Sequence, residues 1–285
     1  MQRFAMAVVV VLVGVGQAAG AITVHRTFTV SPVVGNFLAW TGSSFYTTIG
    51  NDIISEYDLN GNQLSSFSSP GSPGHTLEQG LAFDGTHLWL YDRHLQESPS
   101  MFYKLDTAGN VVSSFVAPAG AENIYGLAWD GTNLLGTSYT DNRVLKIDTS
   151  GNLVETIGTQ TLSSVGLGYD GTSLVVYDFD MPLGPLNQAL VKIDPATGQA
   201  TGVIPKEFHA LPHYVFDYIG NDRWLMKYGN FTSGSTSGSH FYEVSLEWED
   251  PPPFVDSIPE PSTILIWSLL GIIGIAYGWR RRKAA

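Results

Sequence analysis

Three stretches of this chain are near copies of one another: "GLAFDGTHLWLYD" from Gly80, "GLAWDGTNLLGTS" from Gly126 and "GLGYDGTSLVVYD" from Gly166. Each is followed by a second shared pattern: "FYKLDTAGNVVSSF", "VLKIDTSGNLVETI" and "LVKIDPATGQATGV". A worn copy precedes them, "FLAWTGSSFYTTIGNDIISEYDLNGNQLSSF", and another follows, "YVFDYIGNDRWLMKYGNF" with "HFYEVSLEW". Five copies at a spacing of roughly 40 to 48 residues lie in the range of stacked repeat units. Such a unit cannot bury its apolar face alone, so each copy must pack against the next.

Within a copy the pattern reads as four short strands, a to d. In the second copy "GLAFD" is strand a, and Asp84-Gly85 is a tight turn of the kind that accepts positive φ. "HLWLYD" and "MFYKLD" are strands b and c, rich in aromatic and branched residues. "TAGN" is a second turn with Gly109 in the left-handed position, and "VVSSFV" is strand d. Repeated four-stranded antiparallel units predict an all-β fold, a β-propeller of about five blades. A ring of six with one diverged blade is the second reading, and an open β-sandwich the third. The last copy lacks strand d, while "ITVHRTFTVSP" stands unassigned before the first copy and resembles "VVSSFVAP". The N-terminal strand is therefore expected to complete the last blade and close the ring.

Acids recur at fixed places: Asp84, Asp130 and Asp170 in a–b turns, and Asp58, Asp106, Asp148 and Asp194 before c–d turns. Asx turns require Asp or Asn there without any metal, so turn chemistry is the expected role rather than calcium binding. Trp40, Trp129 and Tyr169 recur in the same way and are expected to pack between sheets rather than stack on a ligand.

The a–b and c–d turns fall at one end of every blade and are short. The b–c and d–a loops fall at the other end and are long and irregular. Variable loops on a rigid scaffold are where binding residues concentrate. The candidate binding face therefore comprises His75, Glu78, Asp92, Arg93, His94, Glu122, Asp178, Asp180, His209 and His213, with Glu97 and His240 nearby. His and carboxylate groups can bind metals or move protons. The spacings match no ligand motif such as HExxH, so no metal and no catalytic residue is assigned. There is no GxSxG elbow, no phosphate-binding GxxxxGK[ST] and no dinucleotide fingerprint in a strand–helix context, and no cofactor is expected.

The chain has no cysteine, which excludes disulfides and thiol chemistry. Residues 1–21, with Arg3, an apolar run from Ala5 to Val15 and small residues at Ala19-Gly20-Ala21, read as a secretory signal peptide. Five of the fourteen basic residues and one of the twenty-six acidic residues lie in the end segments, leaving a body near −16. So acidic a domain is a poor partner for nucleic acid.

Residues 22–250 form the propeller domain in this reading, and the proline-rich 251–258 a stiff linker. Thr263 to Trp279 carries no charge and is long enough, as a helix of about 25 Å, to cross a thin bilayer core. Arg280, Arg281, Arg282 and Lys283 follow it and would stay in the cytoplasm. With Pro259, Glu260 and Pro261 ahead of the span, residues 259–285 closely resemble the PEP-CTERM sorting signal of Gram-negative bacteria. That resemblance implies an exosortase-type membrane protease as partner and a transient single-pass stay in the inner membrane. It also implies final placement in the cell envelope or outside the cell, often beside exopolysaccharide. The expected function is a non-enzymatic binding or interaction module of the envelope or matrix. The alternatives are an exported propeller lyase or hydrolase using His and carboxylates of the loop face, and a purely structural matrix cargo.

Overall fold

The computed structural model describes residues 21–251 apart from positions 33, 36, 50–51, 71–75, 95–98, 139–140, 160–163, 179–188, 206–214 and 229–237. The signal segment, the linker beyond Pro251 and the sorting segment with its membrane span lie outside the described residues, as do His75, Glu97, Asp180, His209 and His213. Among the described residues there are twenty strands and no helix, and none therefore is a helix long and apolar enough to cross a membrane.

The strands form five four-stranded antiparallel sheets. Blade 1 runs β2 (Leu38–Trp40), β3 (Phe45–Ile49), β4 (Ile53–Tyr57) and β5 (Gln63–Ser68) from the axis outward. Blade 2 is β6 (Thr76–Phe83), β7 (Leu88–His94), β8 (Met101–Leu105) and β9 (Val111–Val116). Blade 3 is β10 (Ile124–Trp129), β11 (Leu134–Ser138), β12 (Arg143–Ile147) and β13 (Leu153–Gly158). Blade 4 is β14 (Ser164–Tyr169), β15 (Leu174–Asp178), β16 (Ala189–Ile193) and β17 (Ala200–Pro205). Blade 5 takes β18 (Phe216–Gly220), β19 (Arg223–Tyr228) and β20 (Ser239–Glu247) from the end of the repeats, and its outer strand is β1 (Ala21–Val30). The N-terminal strand thus closes the ring, with Ala21 opposite Glu247 and Val30 opposite Ser239. Inner strands β2, β6, β10, β14 and β18 each neighbour the next, and β18 meets β2. That leaves no place for a sixth blade.

Burial explains why this sequence makes blades. Strands b are buried from both sides: Leu134–Ser138 and Leu174–Asp178 are buried at every position. The side chains between blades form separate clusters, each shared by two neighbouring sheets. One holds Trp89, Tyr91 and Phe102 of blade 2 with Leu134, Leu145 and Ile147 of blade 3. The closing seam is aromatic: Phe28 on β1 stacks on Phe241 at 5.4 Å, and Phe241 meets Phe45 of blade 1 at 4.9 Å. Lys227 of β19 also ties the seam, donating from Nζ to the carbonyls of Val34 (2.6 Å) and Gly35. Burial there pushes its ammonium down to about 8.

The Asp turns are built as turn chemistry requires. Asp106 Oδ1 accepts from the N–H of Ala108 and Asn110, and Oδ2 from the Asn110 amide at 2.8 Å. Asp58 and Asp148 repeat the arrangement. In the a–b turns Asp84, Asp130 and Asp170 accept from two backbone N–H groups and pair with Lys104, Lys146 and Lys192 of strand c at 3.5, 2.8 and 3.6 Å. Gly85 and Gly109 both carry positive φ, 93° and 89°.

Candidate functional site

Four successive residues at each inner strand, counting Phe37 just before β2 and Val215 just before β18, run along the propeller axis and divide it into layers. At the loop end stand Phe37, Gly80, Gly126, Gly166 and Val215. Next come Leu38, Leu81, Leu127, Leu167 and Phe216. The third layer is Ala39, Ala82, Ala128, Gly168 and Asp217, and the fourth, beside the a–b turns, is Trp40, Phe83, Trp129, Tyr169 and Tyr218. The repeat "GLAF/GLAW/GLGY" encodes this order. Glycine in the first layer lets the inner strands crowd together: a Cβ on Gly126 would stand 2.7 Å from the Gly166 carbonyl carbon.

The first two layers close the axis from the loop side. The space left among Phe37, Leu38, Leu81, Gly126, Leu127 and their neighbours is about 10 Å³, room for one water at most. The loop-face candidates whose side chains are described do not line it. Asp92 ends the b strand of blade 2 and Asp178 ends that of blade 4; both are fully buried and both are held in contacts. β7 continues through Asp92, Arg93 and His94, so these stand in strand rather than in the loop read from the sequence. Glu78 stands opposite Asp92 in the β6–β7 register. Arg93 donates to the Tyr125 hydroxyl of blade 3, with its guanidinium carbon 5.2 Å from that ring's centre. Glu122 is exposed and caps its own loop by accepting from Gly120 N at 2.9 Å. His240 lies on β20 with Nδ1 2.9 Å from Thr29 Oγ1, toward the outer edge of blade 5. The structure gathers Asp92, Arg93 and Glu122 near the junction of blades 2 and 3, and leaves Asp178 and His240 on other blades. Among the described residues no three His, Asp or Glu side chains form a metal-holding group.

The opposite end of the axis is open inside. A cavity of about 140 Å³ lies between the apolar plug and the a–b turns. Its walls carry one aromatic residue from each blade, Trp40, Phe83, Trp129, Tyr169 and Tyr218, with Ala82, Leu127, Ala128 and one carboxyl group, Asp217. All five aromatics are half-buried. Trp40, Phe83, Trp129 and Tyr218 also pack into the clusters between blades, which is the role read for the recurring aromatics. Asp217 departs from the repeat: the other four blades place Ala or Gly there. Its Oδ2 accepts from the backbone N–H of Trp40 on blade 1 at 2.7 Å, and Oδ1 from Tyr218 N at 2.9 Å. Enclosure pushes its carboxyl up to about 7, against these two hydrogen bonds, which favour the charge. Its remaining accessible surface adjoins the cavity. Reading the loops alone missed Asp217; the signal was the acid in "VFDYI" where the other copies read "LAF", "LAW" and "LGY".

No family model and no curated protein matches the chain. Among solved structures, a protein of unknown function from Bacteroides caccae aligns with 13% identity over 73% of this chain and 76% of its own, at a TM-score of 0.49. The RRP9 WD40 repeats align with 12% identity over 80% of this chain and 100% of theirs, at 0.49. A luciferin-regenerating enzyme aligns with 13% identity over 78% and 96%, at 0.47.

Proposed function

We propose that this chain is an exported propeller, sorted through its C-terminal segment by an exosortase-type protease to the cell envelope or matrix, and that it acts there as a binding module. The sorting part of this reading rests on sequence: Pro259-Glu260-Pro261, an uncharged span and Arg280–Lys283, in that order at the end of the chain. The binding part rests on one observation. Among the described residues, the axis at the long-loop face is filled by apolar side chains and glycine, where a propeller enzyme would need polar groups to converge. An acidic, cysteine-free body suits an exported module that meets sugars, envelope proteins or cations.

The test is to express the full chain in a Gram-negative host with and without an exosortase, and to follow its size and location. Cleavage near Pro261 and release from the inner membrane only when the protease is present is the expected result. A triple change of Pro259, Glu260 and Pro261 to Ala should leave the protein uncut in the inner membrane. Equal processing with and without the protease would reject the sorting reading. Turnover of lactone or uronate polymers by the purified protein would reject the binding-module reading in favour of the enzyme.

A further inference from the structure

We propose that the chain associates with a second copy of itself through β9, the outer strand of blade 2, the two strands pairing antiparallel about a two-fold axis at Ser114. Such an interface lies on the outer rim and goes beyond the sorting and binding roles above.

Among the described residues each outer strand is paired on one side only within its sheet. Such an edge invites pairing with another chain unless it is charged, broken or covered. β1 carries His25 and Arg26, both exposed, and a bulge between Val24 and Arg26. β13 carries Glu155, and Arg143 stands opposite its last residue, Gly158. β17 is covered: Glu249 exchanges both backbone hydrogen bonds with Val203, at 3.0 and 3.1 Å, and Trp248 packs on Gly202. β5 is unguarded but polar, with one exposed apolar side chain, Leu64, among glutamine and serines. β9 is unguarded and apolar. It reads "VVSSFV", without charge, proline or glycine, and leaves Val111, Val112 and Val116 49%, 54% and 53% exposed. Short uncharged segments of this composition are the ones that pair edge to edge. The bulge at its turn end recurs in β5, β13 and β17 and distinguishes none of them.

The strand is complementary to its own copy. Ala117 N–H donates to the Ser100 carbonyl opposite it at 2.8 Å, which sets the phase of the β8–β9 ladder. Phe115 and Ser113 therefore bond inward to β8, and Ser114 and Val116 turn their N–H and C=O groups outward. Met101, Tyr103 and Leu105 alternate along β8 and share a face, which puts their partners Val116, Ser114 and Val111 on one face of β9. That face carries no charge. A two-fold axis at Ser114 sets this residue against Ser114 of the second copy, and Val116 against the bulged Val111–Val112 pair of the second copy; each contact is made twice. A body near −16 repels its own copies over most of its surface, and this edge brings no like charges together. The contact is small, below the ~1,200 Å² where standard interfaces begin, so the association is weak and depends on concentration.

The chain has no cysteine, so a single one reports the contact without background. Opposite residues of a hydrogen-bonded pair stand about 5.5 Å apart, within the span of a disulfide. The full chain in mild detergent is oxidised at rising concentration. Expected is a disulfide-linked dimer from Ser114→Cys, and little from Thr156→Cys, the matching place on β13 of blade 3. By sedimentation the wild type should be a monomer–dimer mixture with a dissociation constant of about 100 μM or below. Ser114→Lys, which sets two ammonium groups face to face, should weaken it about tenfold or more. An equal mixture of the Ser114→Lys and Ser114→Glu variants should restore it. Ser114 is exposed, so circular dichroism should show an intact fold in each variant. A wild type that stays monomeric up to about 1 mM overturns the proposal. So does equal cross-linking from Ser114→Cys and Thr156→Cys, or association unchanged by Ser114→Lys, as contact through the apolar tail would give. None of these readouts involves an exosortase, so the sorting reading stands or falls separately.

Discussion

Asp217 and the turn aspartates are the same residue type under opposite environments, and pH separates them. An Asn amide and then backbone N–H groups hold Asp58, Asp106 and Asp148 below the usual carboxylate range. Burial works to raise Asp84, Asp130 and Asp170, but turn N–H groups and the strand-c lysines outweigh it and hold them low as well. A carboxyl whose folded value is depressed stabilises the fold above its unfolded value, and that contribution is lost as pH falls through the folded value. Stability should therefore drop below about pH 4. Asp217 runs the other way. With its folded value near 7, the native protein holds a proton that the unfolded chain has already released above pH ~4. Stability should fall as pH rises between about 4 and 7, by on the order of 3–4 kcal/mol. Urea unfolding midpoints from pH 5 to 8 should decline for the wild type and flatten in Asp217→Asn; overlapping profiles would remove the assigned environment. The environment of Asp217 was not visible from the residue types, because a pKa depends on enclosure, and enclosure there comes from blades far apart in the chain.

At the scale of the element, the repeat was legible because its chemistry is local. An Asx turn uses donors within four residues, and a buried b strand shows itself as an apolar run. So "DGT" and "DTAGN" marked the turns, and the strands between them followed. Strand ends were less legible: β7 extends through His94, because pairing with β6 continues as far as Thr76, beyond the apolar run that defines the strand in sequence. The first-layer glycine of strand a gains its meaning only from the neighbouring strand. At Gly126 an added Cβ would meet backbone atoms of Gly166 and Leu167 at 2.7–2.9 Å, and backbone cannot step aside as a side-chain tip can. Gly126→Ala should cost about 1–3 kcal/mol in chemical unfolding by forcing blades 3 and 4 apart. A cost below about 0.5 kcal/mol would show that the inner strands are not packed this tightly.

For the whole molecule the decisive contact is the one that joins the two ends of the repeat array. β1 supplies the outer strand of blade 5, and Phe28 carries its aromatic contact to Phe241 and, at 5.9 Å, to Phe45. Phe28→Ala should destabilise the propeller by about 2–3 kcal/mol, below the usual cost of a fully buried Phe because the residue is only half-buried. Its main readout should be a faster unfolding rate and earlier protease cleavage within β1; an unchanged unfolding rate would mean that the seam is not a weak point of the ring. The unpaired strand at the N-terminus and the missing strand in the last copy made this closure legible in advance, since an unfinished blade would leave an open edge. The chain's own order of residues was thus enough for the propeller architecture, the turn chemistry and the closing strand, with five blades as the first reading and six as the second, all of which rest on neighbours in sequence or on copies of one pattern. Which end of the axis is closed and which holds a cavity came from the fold, as did the meeting of Asp217 with Trp40 and with the aromatic residues of the other blades. Five strands, each about forty residues from the next, converge on one axis there, and only their packing sets the space that remains between them.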